Sequence, residues 1–75
     1  MSVKRLLNMK IILNNRNELF ESDSLTISEI MEIKKFTFSK IIVKLNGSFV
    51  EKEDYTTTKV SEGDNLVILH LLAGG

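Results

Sequence analysis

Cysteine and proline are both absent from this 75-residue chain. Without cysteine there is no disulfide, no iron–sulfur ligand set, no thiolate zinc site and no thiol nucleophile. A single histidine, His70, leaves no His-based metal site either. Without proline the turns must be made by Asn, Asp, Ser and Gly. Net charge is also lacking: ten basic residues balance ten acidic ones. That balance argues against nucleic acid as a partner, because phosphate binding needs surplus Lys and Arg. It removes long-range steering as well, although local patches are still allowed. No long apolar run occurs. The longest, residues 66–73, is interrupted by His70 and is far too short to span a bilayer. Ile11-Ile12-Leu13, after a basic start, is shorter than a signal-peptide core. The expectation is a cytoplasmic protein with no membrane partner. No nucleophile, base and orienting group form a recognisable set, so the chain is not expected to be an enzyme.

A chain of this length makes one small domain and buries only about 60% of its unfolded surface. Residues 1–8 read as an N-terminal extension, in which Leu6 and Leu7 add either a short strand or a loose surface contact. Met9-Lys10-Ile11-Ile12-Leu13, with β-branched Ile11 and Ile12, reads as the beginning of a strand. The Asn-rich stretch 14–17 then reads as a turn, since Asn tolerates the left-handed conformation, and 18–21 as the returning strand. Ser22-Asp23-Ser24 reads as a loop. Thr26-Ile27-Ser28-Glu29 fits a capping box, in which the Thr hydroxyl bonds the amide three residues on and the Glu reaches back. Ile27, Ile30, Met31 and Lys34 share one face beyond it, which predicts an amphipathic helix of about ten residues with its apolar stripe in the core.

Residues 40–45 predict another strand, and Asn46-Gly47 is a strong hairpin dipeptide because both residues accept positive φ. Residues 48–50 make a short returning strand, 51–55 a turn or short helical piece, and 61–64 a second turn. Asp64 beside Gly63 reads as turn chemistry. Residues 65–71 form the last strand. The order of elements predicts an α+β, ubiquitin-like β-grasp. This is a mixed sheet of four to five strands, with one main helix packed on one face. First and last strands are then adjacent at its centre, where near-continuous apolar runs belong. Ile12 or Leu13 would lie against Leu66 and Ile68. The ordered domain spans residues 9–71, and 72–75 form a flexible tail.

That tail ends Leu72-Ala73-Gly74-Gly75. At average glycine usage a terminal Gly pair arises in about one chain in 200. It contributes nothing to a core, but it leaves a carboxylate on backbone without Cβ, able to enter a channel too narrow for other residues. The competing reading is a frayed end.

From residue 9 to residue 75 the sequence resembles the ThiS-type sulfur-carrier family. The resemblance is carried by Lys44-Leu45-Asn46-Gly47, by Val50 with Tyr55 five residues on, and by Glu62-Gly63-Asp64. Most of all it is carried by the closing Leu66-Val67-Ile68-Leu69-His70-Leu71-Leu72-Ala73-Gly74-Gly75. Two positions depart from the pattern. Glu51-Lys52 stands where the family often has Pro-Arg, and apolar Val67 where relatives are commonly charged. MoaD-like carriers of molybdopterin synthesis share the fold and the Gly-Gly end but often have Pro-Pro before it, where this chain has His70-Leu71. Ubiquitin-like protein modifiers, which would conjugate through Gly75, share the same end.

The resemblance implies that Gly75 is adenylated and converted to a thiocarboxylate that donates sulfur for the thiazole of thiamine. Gly74 and Ala73 would thread the tail into a partner, and Leu71 and Leu72 would hold its base. It implies as partners an E1-like (ThiF-like) adenylating enzyme, a ThiG-like thiazole synthase and a sulfur donor such as a cysteine desulfurase. No cofactor would be bound; ATP and magnesium would be used by the adenylating enzyme. Alternation in the last strand puts Leu66 and Ile68 on one face and Val67, Leu69 and Leu71 on the other. If the first set faces the helix, the second lies on the open face. Val67, Leu69, Leu71 and Leu72 are therefore the expected docking residues. The alternative is that residues 1–8 or a loop cover them. His70 has the pKa range for proton transfer, but a lone strand histidine is ordinarily packed or solvated.

Overall fold

The computed structural model describes residues 8–37 and 39–71. Strand β1 (Met9–Leu13) and strand β2 (Arg16–Phe20) form an antiparallel hairpin with Leu13 opposite Arg16. Its turn is the two residues Asn14 and Asn15, at φ 52° and 68°. Both accept the left-handed region, so the return starts at Arg16 rather than at the expected Glu18. Strand β3 (Ser24–Thr26) follows, then helix α1 (Ile27–Ile33). The capping box is formed: the Glu29 amide donates to Thr26 Oγ1 at 3.1 Å, and the Thr26 amide donates to Glu29 Oε1 at 2.8 Å.

The helix is seven residues long, shorter than its apolar periodicity suggests, because Lys35 turns left-handed at φ 59°. The Phe36 amide donates to Met31 O at 2.8 Å and the Lys35 amide to Glu32 O at 3.1 Å. These are the two bonds of a Schellman motif, with a lysine where glycine is usual. Phe36 and Met31 both pack against the core there.

Strand β4 (Ile41–Leu45) turns through Asn46 (φ 52°) and Gly47 (φ 89°) into β5 (Ser48–Val50). A 3₁₀ turn at Lys52–Asp54 leads to β6 (Lys59–Ser61) and, past a bend at Gly63 (φ 84°), to β7 (Asn65–His70). The main sheet runs β2-β1-β7-β4-β5, with β1 and β7 parallel and the other pairs antiparallel. This is the β-grasp arrangement, with first and last strands adjacent at the centre. A second, two-stranded sheet pairs β3 with β6, Leu25 opposite Val60. Neither of these strands stands out in the sequence, where residue 24 reads as loop.

The core lies between the sheet and α1. Met9, Ile11, Leu13, Phe20, Ile27, Ile30, Val43, Val60, Leu66 and Ile68 are buried. Leu13, not Ile12, pairs with Leu66 on the inside; Ile12 points out and is 38% exposed. Among the described residues no helix is long and apolar enough to cross a membrane.

Candidate functional site

β7 delivers the chain to its C-terminal tail, so what fixes β7 fixes the tail root. On one side β4 pairs with it from Leu45↔Leu66 to Ile41↔His70, and the Leu71 amide continues the pairing to Lys40 O at 2.9 Å. On the other side β1 pairs only as far as Leu13↔Leu66. There the Asn14 backbone amide donates to Leu66 O at 3.0 Å, and its side chain replaces the missing strand. Asn14 Oδ1 accepts from the Ile68 amide at 2.8 Å, and Asn14 Nδ2 donates to Ile68 O at 3.1 Å. One side-chain amide thus does what a peptide group would do one step further along the ladder.

The far end of β7 is tied as firmly. The Ser61 amide donates to Asp64 Oδ2 at 2.9 Å and Asn46 Nδ2 to Asp64 Oδ1 at 3.1 Å. The Asn65 amide donates to Asn46 Oδ1 at 2.8 Å. Asp64 is a turn-former that also ties the end of β6 to the β4–β5 turn, in keeping with its place beside Gly63.

The helix covers one face of the sheet. Cross-strand neighbours on the other face are Leu19 with Lys10, Ile42 with Leu69, and Lys44 with Val67 and Phe49. Phe49 is 70% exposed, Leu19 64% and Leu69 49%, while Val67 and Ile42 are half-buried. Val67 and Leu69 therefore sit where the alternation places them. Leu19, Ile12, Ile42 and Phe49 enlarge the apolar strip, and sequence reading missed them. The signal was available in the two Asn-containing hairpin turns, which fix the register and hence the face of each partner residue. Leu71 departs from the alternation. It is partly exposed and lines a cleft of about 490 Å³ with Met31, Ile41, Tyr55, Lys40 and Lys52, at the helix side of the tail root. Burial, and to a lesser degree the Glu51 carboxylate, push the Tyr55 hydroxyl above its usual pKa. His70 is exposed at the end of β7, opposite Ile41. Leu72, Ala73, Gly74 and Gly75, and residues 1–7, lie outside the described residues. Among the described residues no three His, Cys, Asp or Glu side chains gather where a metal ion could bind.

The model of the ThiS family matches residues 6–75. The chain belongs to the ThiS family. Two solved structures of one ThiS-family relative agree with that assignment. The crystal structure of the thiamine biosynthesis protein (ThiS) from Geobacter metallireducens is 28% identical. It is matched over 89% of this chain and all of that one, with a TM-score of 0.80. The solution NMR structure of a thiamine biosynthesis protein from the same organism gives 28% identity and a TM-score of 0.73, over 89% of this chain and 88% of that one. No curated protein matches. ThiS-family members are small sulfur carriers, and the β-grasp body and the strand leading into the tail are the parts of that architecture seen here.

Proposed function

We propose that this ThiS-family chain carries sulfur for thiamine biosynthesis on the carboxyl group of Gly75. The observation that carries the reading is the family match, which runs through residue 75. It is supported by a last strand held by β4 as far as Leu71 and on its other flank, through the Asn14 side chain, as far as Ile68. A carboxylate is a poor acyl donor because oxide is its leaving group. Attack of the Gly75 carboxylate on the α-phosphorus of ATP expels pyrophosphate and gives an acyl-adenylate, from which AMP leaves readily. With hydrosulfide written for the donor, acyl-adenylate plus HS⁻ gives the thiocarboxylate, AMP and a proton. The adenylating enzyme, ThiF-like, uses the ATP and magnesium. A cysteine desulfurase supplies the sulfur, and a ThiG-like thiazole synthase receives it. The chain itself catalyses none of these steps. Having no cysteine, it offers no thiol of its own to attack the activated Gly75.

The open sheet face is the docking surface in this reading, because an exposed apolar patch on a small monomer ordinarily marks an interaction site. Val67 and Leu69 lie at its centre, and Leu71, on the helix side of the tail root, is outside it. Gly74 and Ala73 carry no bulk that would stop the tail from entering a narrow site.

Intact mass spectrometry tests the proposal after incubation with ATP, magnesium, sulfide and a cognate adenylating enzyme. The expected product has one oxygen replaced by sulfur, and a variant ending at Ala73 gives none. Higher-mass conjugates to proteins would mark a ubiquitin-like modifier instead. An unchanged mass with an enzyme active on another ThiS-family carrier would refute the proposal.

A further inference from the structure

The five strands of the main sheet hold one carboxylate, Glu18, and it lies on the helix side, 3.1 Å from the Lys34 ammonium. The charged side chains those strands send to the open face are Lys10 and Lys44. Lys10 stands opposite Leu19; Lys44 stands opposite both Val67 and Phe49, its ammonium 5.3 Å from the Phe49 ring centroid. On its strands, a chain with no net charge thus presents an open-face apolar strip whose charged members are both lysines, while the carboxylates near it, Glu62 and Glu51, lie beyond the strand ends. Glu62 is at the Lys10 edge, where its carboxylate accepts the Lys10 backbone N–H at 2.7 Å. It partly neutralises that edge and leaves Lys44 the stronger of the two cations.

This pattern disfavours a second copy as the occupant. Pairing the face with itself would set apolar on apolar, but it would gather the lysines of both copies with no strand carboxylate to offset them. A different protein that carries acids beside an apolar patch satisfies both features at once. We propose that the open face docks an apolar protein surface bordered by Asp or Glu, with Lys44 as the principal cation it meets and Lys10 as the lesser one. The proposal rests on the carrier reading, in which that partner is the adenylating enzyme. Charges at the margin of an interface act mainly on the association rate, and salt screens them.

The test is binding of the full chain to the adenylating enzyme of the same organism, by surface plasmon resonance from about 0.05 M to about 1 M NaCl. Wild-type affinity is expected to fall with salt. Lys44→Glu should weaken binding about tenfold at low salt, chiefly through slower association, with Lys10→Glu costing less and Lys44→Gln falling between. The differences should vanish at high salt. Thermal melts of each variant establish that it is folded, and Lys44→Gln keeps the test open if Lys44→Glu is not. ATP–pyrophosphate exchange in the same samples separates the two readings. If wild type supports exchange while Lys44→Glu and Lys44→Gln bind as wild type does, the charge proposal falls and the carrier reading stands. If wild type neither binds nor supports exchange, the carrier reading falls and takes this one with it. A wild-type dimer in sedimentation velocity that Leu69→Glu dissolves would assign the face to a second copy and overturn the proposal.

Discussion

Asn14 holds the tail-bearing strand at the point where β1 has run out. Its side-chain amide makes a donor and an acceptor bond to the same residue, Ile68, which is 3% exposed. Asn14→Ala leaves both polar groups of Ile68 to part-buried surroundings, so it should cost about 1–3 kcal/mol in urea unfolding. Nothing in the sequence advertises this role. Asn14 is legible as a turn former because of its tolerance of positive φ, but its partner lies 54 residues away. Tyr55 gives a pH signature at the same scale. Burial first, and the Glu51 carboxylate second, raise its pKa from the ordinary 10.0. The folded state therefore holds the phenol proton more tightly than the unfolded chain does. The stability this contributes is complete below pH 10 and is lost as pH rises through the folded value. Stability curves of wild type and Tyr55→Phe should run parallel up to about pH 10, and above it wild type alone should show the additional loss. Curves that stay parallel throughout would mean that Tyr55 is not perturbed.

Among the elements, those with strong local chemistry are legible and those held by distant pairing are not. The capping box at Thr26 marks the start of α1, and Asn46-Gly47 marks the β4–β5 turn, because each signal is complete within four residues. The end of α1 is hidden, since the left-handed cap falls on Lys35 and not on a glycine or asparagine. β3 and β6 are hidden as well. Three residues give no alternation to read, and each strand exists through the other, Leu25 against Val60. The lysine cap carries a prediction. A side chain in the left-handed region costs about 1 kcal/mol that glycine avoids. Both Schellman bonds use backbone, and Lys35 is exposed. Lys35→Gly should therefore stabilise the protein by about 0.5–1 kcal/mol, raising its melting temperature by a few degrees. A lower melting temperature would mean that the Lys35 side chain makes a contact worth more than the strain.

For the whole molecule, the question is how a body this small can keep a core and still offer a partner an apolar surface. β7 does both by alternation. Leu66 and Ile68 are 0% and 3% exposed under the helix, whereas Leu69 is 49% exposed on the opposite face. The apolar character of β7 is plain in the sequence, and so is its parity. The breadth of the strip is not, since Leu19 and Phe49 join it only through the registers of two hairpins. The division between the faces can be tested by one pair of substitutions on adjacent residues. Leu69→Glu keeps its charge in water, so its unfolding free energy should stay within about 0.5 kcal/mol of wild type. Its binding to the adenylating enzyme should nevertheless weaken at least about tenfold, because the carboxylate is buried at the centre of the contact. Ile68→Glu places the same charge in the core, where burial without a partner costs several kcal/mol. It should be largely unfolded by circular dichroism before any binding is measured. If Leu69→Glu also unfolds, Leu69 is core and the docking face is elsewhere. If it folds and binds unimpaired, the strip is not where the partner lands.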